Sequence, residues 1–172
     1  PQRHVWYLRV HHLAIDGYGM TLMTDRVAEL YNARLEQRTP APALPGFDVA
    51  AAEDEAYRSS PKRTADAAYW REAFASAPAV VGMAPGRAVA AHRFHRVEVP
   101  VEPTVAARVR ALADGERLPW PDVLTVLVAL YCQRMTGTAE TVVGVPHMGR
   151  FGSSAARVPA MVMNVLPLRV PA

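Results

Sequence analysis

The stretch His11-His12-Leu13-Ala14-Ile15-Asp16-Gly17 brings two imidazoles and a carboxylate together beside a glycine that reads as a turn. Ionisable groups amid apolar residues are costly to desolvate, so their presence points to a chemical role. Three chemistries can be weighed. Zinc takes three or four ligands from His, Cys and carboxylate; here Asp16 is the only near carboxylate, and no HExxH or CxxC pattern occurs. A covalent route needs an activated nucleophile, but there is no Gly-x-Ser-x-Gly elbow, and the single Cys132 lies in the apolar run Val126 to Tyr131, where it reads as a small buried hydrophobe. What remains is one imidazole beside a turn, suited to taking a proton from an incoming amine or hydroxyl, or to holding that nucleophile by a hydrogen bond.

The elements on either side must aim that imidazole. Val5-Trp6-Tyr7-Leu8-Arg9-Val10 is rich in β-branched and aromatic types and reads as a strand. Successive strand side chains point to opposite faces, so His12 shares a face with Trp6, Leu8 and Val10, whereas His11 goes with Tyr7 and Arg9. The two histidines therefore have different jobs. After Gly17 the period changes: Met23, Val27, Leu30, Tyr31 and Leu35 recur at helical spacing. Strand, tight turn and helix present backbone N–H groups and one imidazole at the mouth of a cleft.

Farther along, Arg38 to Gly46 is a proline-rich connector that stops this helix. Phe47 to Ser60 has the charge order of a helix, Glu53, Asp54 and Glu55 early and Arg58 late. Ser60-Pro61 opens another helix, running through Tyr69-Trp70 to about Phe74, with the aromatic pair expected to pack into a core. Pro78 to Ala91 is the best candidate for a lobe boundary. His92 to Val99 alternates as a strand with His92 and His95 on opposite faces, which argues against a shared metal. Val101 to Ala113 reads as an amphipathic helix stopped at Asp114-Gly115. Trp120-Pro121-Asp122 opens a helix that is apolar nearly all round from Val123 to Tyr131 and ends at Gly137, a pattern expected of a helix buried between layers. Thr141 to Val145 and Met161 to Leu166 read as interior strands.

HHLAIDG resembles the HHxxxDG motif of the condensation domains of nonribosomal peptide synthetases, shared by the wider superfamily of chloramphenicol acetyltransferase-like acyltransferases. Further matches follow in order: Tyr69-Trp70, Gly149-Arg150 against the family's "GR" signature, and Asn164-Val165-Leu166-Pro167-Leu168-Arg169 against its "VNTLPLR" signature. Together they cover nearly the whole chain. The resemblance implies an α/β (α+β) class with the two-lobe chloramphenicol acetyltransferase-like fold, present here as a partial domain. Residues 1–85 would be the C-terminal part of the N-lobe and residues 86–172 the N-terminal part of the C-lobe.

It also implies roles. His12, the second histidine, would be catalytic, while His11, Asp16, Arg150 and Asn164 would be structural residues of the motifs. Asp16 would turn away to pair with Arg150, tying one lobe to the other, since a buried carboxylate without a partner is strongly penalised. Gly17 would let a thioester carbonyl approach the backbone and offer its N–H to the oxyanion. The reaction implied is amide formation between the thioester of an upstream acyl or peptidyl carrier and the amine of an aminoacyl group on a downstream carrier. Both would ride on phosphopantetheine arms entering a tunnel between the lobes, with an adenylation domain in the same polypeptide and no bound metal or redox cofactor. Competing expectations are a stand-alone acyltransferase using coenzyme A and a catalytically idle domain that only docks carriers. Where the family usually has Gly before Phe-Val-Asn, this chain has Pro159 to Asn164; with Gly149 to Ser153 and Glu53 to Arg58 it looks more like the condensation domains of siderophore synthetases, some of which accept an aryl-acid starter.

Composition narrows the field. Of 172 residues 51% are hydrophobic and 20% charged, which suits an ordered globular chain. The net charge is only +3 and the arginines are scattered, so no nucleic-acid footprint is indicated. No apolar run reaches the roughly 18–20 residues that span a bilayer. One cysteine permits no internal disulfide, which fits a reducing, cytoplasmic setting. The chain is expected to be a piece of a longer polypeptide that folds only within the whole domain, so that in this piece the helix Val123 to Tyr131 would lack full cover.

Overall fold

Asp16 begins the first helix, α1 (Gly17–Leu35), with an extended backbone and a carboxylate that accepts the Gly19 amide at 2.7 Å. The Asp-Gly pair therefore starts a helix rather than forming the turn. The turn lies just upstream, where the Ala14 amide donates to the His11 carbonyl at 2.9 Å. Gln37, in the left-handed region at φ 52°, follows the end of α1. The proline-rich connector is then fastened back onto the helix. Arg38 grips Glu29 with two bonds of 2.7 Å, and the Ala41 amide donates to the same carboxylate at 2.8 Å. The Arg38 guanidinium, joined by that amide, holds the Glu29 carboxyl down at about 2.

The computed structural model describes residues 4–76, 82, 83, 93 and 95–171. They group into two compact units, Pro1–Ala75 with Pro146–Val165, and Ser76–Val145 with Leu166–Ala172. In the first unit, α2 (Phe47–Arg58) and α3 (Pro61–Ala73) follow α1. Ser60 caps α3 by accepting the Arg63 amide at 3.3 Å, and Pro61 fills the first turn, where no N–H is needed. The core of this unit lies beneath α2, where Val49 and Ala50 pack with Ala155, Val158, Ala160 and Val162. A 3₁₀ turn, Ser154–Arg157, starts this small-residue stretch.

In the second unit α4 (Pro103–Glu116) packs on α5 (Trp120–Thr136). Strand β1 (Glu140–His147) pairs with β2 (Asn164–Pro171). Across the pair Arg169 holds Glu140 at 2.5 and 2.8 Å, and the Gln133 side chain of α5 donates to the Val170 carbonyl at 2.7 Å.

Several expectations need correction. Residues 4–10 form no strand: a strand needs a neighbour to bond, and none of the described residues supplies one. The same holds for 95–100; His95 is exposed there, while His92 and most of Pro78 to Ala91 lie outside the described residues. Gly115 does not stop α4. The left-handed residue is Arg117, and the Leu118 amide closes the end by donating to the Ala113 carbonyl at 2.9 Å. Strand β2 begins at Asn164 rather than Met161, because the amides of 161–163 donate to Ala14 and Asp16 instead of to a neighbouring strand. Only Val123, Ala129 and Gln133 of α5 are buried, so its apolar circumference is largely open among the described residues. Tyr69 is exposed, and its ring meets that of Trp70 edge-on at 5.3 Å between centroids, while Phe74 lies tilted against Trp70 at 5.9 Å. Cys132 is half-buried, its Sγ 4.0 Å from Met83 Sδ. Residues 146–165, with Arg150, pack with the N-terminal unit.

Candidate functional site

Asp16 and Arg150 are 134 positions apart in sequence, yet both are buried and in contact. Arg150 Nη2 lies 3.0 Å from each carboxylate oxygen of Asp16. The remaining capacity of the carboxylate is filled by backbone: Oδ1 accepts the Gly19 amide, and Oδ2 accepts the amides of Val162 and Met163, both at 3.0 Å. The Met161 amide donates to the Ala14 carbonyl at 3.2 Å. Those bonds delay the start of β2. Burial alone would push the Asp16 carboxyl up. The Gly19, Val162 and Met163 amides and the Arg150 guanidinium overcome it and hold the group at about 2.

The guanidinium is equally enclosed. Nη1 donates to the carbonyls of Ala155 (3.2 Å), Ala156 (3.2 Å) and Val158 (2.9 Å), while Nη2 adds that of Ala160 at 2.9 Å. The Tyr18 ring lies over it, its centroid 5.0 Å from Cζ. Gly149 makes the approach possible. It sits at φ +65°, and a Cβ there would stand 3.0 Å from the Val162 carbonyl oxygen, so any other residue would strain the turn that delivers Arg150.

Asp16 is committed to this cage. His12 stands outside it. It is exposed, lies in the turn before α1, and shares the wall of a cavity of about 290 Å³ with Leu8, Val10, Asp16, Gly17 and Met20. His11 is differently employed, its Nδ1 accepting the Leu13 amide at 3.1 Å and thereby fixing the turn. Gly17 is the first residue of α1, where a helix leaves its N–H groups without intrahelical partners. A Cβ at Gly17 would meet nothing within 4 Å among the described residues, so the space in front of its backbone is open. Asn164 is not gathered into the cluster; it is exposed, and its side chain accepts the adjacent Val165 amide at 2.8 Å. The ion pair joins two distant stretches of one compact unit.

Two contributors escaped the reading by motif. Gly19 is buried, and a Cβ there would fall 2.6 Å from Ile15 Cγ1 and 3.1 Å from the Ala160 carbonyl oxygen. A glycine inside a helix costs stability relative to alanine, which is the signal that it serves close packing. The carbonyl cage of residues 155–160 has no sequence signal beyond its small residues. Among the described residues no group of three or more His, Cys, Asp or Glu side chains could hold a metal ion, and no helix is long and apolar enough to cross a membrane.

The profile of the condensation-domain family matches residues 1–172. A dimodular nonribosomal peptide synthase of Bacillus subtilis (strain 168) is 38% identical over 99% of this chain, which spans 7% of that protein. Enterobactin synthase component F of Shigella flexneri is 30% identical over 98% of the chain and 13% of its own length. Among solved structures, the first condensation domain of the calcium-dependent antibiotic synthetase, in complex with a substrate analogue, superimposes with a TM-score of 0.79 at 36% identity, covering 95% of this chain and 37% of that one. The chain thus spans a small part of the synthetases it matches and about a third of the solved chain.

Proposed function

Since this chain belongs to the condensation-domain family, we propose that it contributes the His12 part of an acyl-transfer site that forms amide bonds in nonribosomal peptide synthesis. The amine of an aminoacyl group on a downstream carrier attacks the carbonyl of an acyl or peptidyl thioester on an upstream carrier. A C–N bond forms, the C–S bond breaks, and the amine proton passes by way of the His12 imidazole to the departing thiolate. The Gly17 N–H, at the positive end of α1, faces the oxyanion of the tetrahedral intermediate. His11, Asp16, Arg150 and Asn164 serve as structural residues of the motifs. The partners in this reading are carrier domains with their phosphopantetheine arms and an adenylation domain of the same polypeptide, acting in the cytoplasm. The domain is of the siderophore-synthetase kind, in keeping with Glu53 to Arg58 and with the enterobactin synthase relative.

One observation carries the proposal. Five hydrogen bonds lock Asp16 away from the reaction and leave His12 exposed beside the open backbone of Gly17. The test is to supply the full polypeptide carrying this chain with an aminoacyl acceptor on its carrier, and one acyl donor either on a carrier or on coenzyme A, and to detect the amide by mass spectrometry. Amide from the carrier-bound donor alone is the expected result. Equal product from coenzyme A would make the chain part of a stand-alone acyltransferase, and no product from either donor would make it an idle docking domain.

A further inference from the structure

Glu53 projects from the middle of α2 toward the loop that encloses Arg150. Its Oε2 accepts the Ser153 hydroxyl at 2.9 Å, the Ala155 amide at 3.1 Å and the Ser154 hydroxyl. One carboxylate oxygen thus gathers the entry to the 3₁₀ turn Ser154–Arg157, where the Ser153 hydroxyl also accepts the Ala155 amide at 2.9 Å. From there the chain supplies the carbonyls of Ala155, Ala156, Val158 and Ala160 to the Arg150 guanidinium. The far end of the same loop is stitched to the motif itself: the Asp16 amide donates to the Ala160 carbonyl at 3.3 Å, and the Met161 amide to that of Ala14 at 3.2 Å. Hydrogen bonds at both ends of the covalent run 153–161 thus connect Glu53 to the turn bearing His12 within one compact unit.

We infer that Glu53 is a positioning residue for the reaction at His12, acting through the 153–160 loop and the Arg150–Asp16 pair. The inference rests on the proposed acyl transfer. The Ser154 and Ser153 hydroxyls, against the opposing effect of desolvation, hold the Glu53 carboxyl below its usual range, so the clamp is anionic and its bonds are charge-assisted. Reacting groups displaced by about 1 Å can lose about 100-fold in rate, so a loosened loop is felt at a site it does not touch.

The test compares Glu53→Ala and Glu53→Gln in the full polypeptide. Glu53→Ala is expected to lower kcat about 10- to 100-fold with KM unchanged. Glu53→Gln, which keeps the reach and one acceptor oxygen, should recover most of that loss. Hydrogen exchange supplies a readout independent of turnover. In Glu53→Ala the amides of Gly19, Val162 and Met163, all donors to Asp16, should exchange at least about ten times faster, while those of α4 and α5 keep their wild-type rates. Unchanged exchange at those three amides, acceleration that extends equally to α5, or an unchanged kcat in an active enzyme would overturn the role of Glu53. A wild-type enzyme that makes no amide would instead overturn the acyl-transfer reading, and the exchange pattern would still decide whether the clamp exists.

Discussion

Asp16→Ala is expected to destabilise the unit that holds the motif by about 3–5 kcal/mol, the usual cost of removing one partner from a buried ion pair. The loss has three sources in the geometry. Arg150 is left as a buried cation held by neutral carbonyls and the Tyr18 ring, the amides of Val162 and Met163 lose their acceptor, and α1 loses its cap at Gly19. Urea unfolding of Asp16→Ala, Arg150→Ala and the double variant gives the coupling, which should be large because the residues share one bonded network. Independent, additive effects would refute the pairing. The same carboxylate sets an acid dependence. Its folded pKa, about 2, lies below its ordinary value of 3.8, so its contribution is fully present above about pH 4 and is lost as the pH falls toward 2. The contribution is about 2 kcal/mol at neutral pH, and Asp16→Ala should show a correspondingly flatter stability profile between pH 5 and 2.

His12→Ala should do the reverse, leaving stability nearly unchanged and reducing condensation about 10²–10⁴-fold, the usual cost of losing a general acid–base group. His12 is exposed and no described residue takes a hydrogen bond from its ring, so its removal opens no cavity and strands no partner. The fall should appear in kcat with carrier-bound substrates, while the urea midpoint stays at the wild-type value. A folded His12→Ala enzyme that condenses at the wild-type rate would remove the imidazole from the mechanism.

The contrast between these two residues marks what is legible in the sequence alone. The limits of α1, α2, α3 and α5 follow closely from local signals: the helical period after Gly17, Ser60-Pro61, Trp120-Pro121 and Gly137. Such signals lie within a few residues of the feature they govern. The strands are harder, because a strand is made by its neighbour. Val5 to Val10 has the composition of one and no described partner, whereas Met161 to Met163 lose their place in a ladder to Ala14 and the Asp16 carboxylate. The pairing of Asp16 with Arg150 is reached through family resemblance, not from spacing, since 134 positions separate them. Glu53 reads as part of a charge gradient along its helix, and nothing local announces Ser153 and Ser154, about a hundred positions away, as its partners. Gly19 is the exception, a long-range contact with a local signature in the cost of a helical glycine.

The chemistry proposed for His12 is direct transfer: the amine takes the acyl group from the thioester while the imidazole handles its proton, and no acyl-enzyme forms. The most direct measurement is a single turnover of the full polypeptide with an isotopically labelled acyl group on the donor carrier, quenched at successive times and resolved by intact-domain mass spectrometry. The label should leave the donor carrier and enter the amide on the acceptor carrier at equal rates, with none bound to any residue of this chain, and the transfer should slow in His12→Ala. Label captured covalently on the chain before the amide forms, at Cys132 or at any serine, would contradict it.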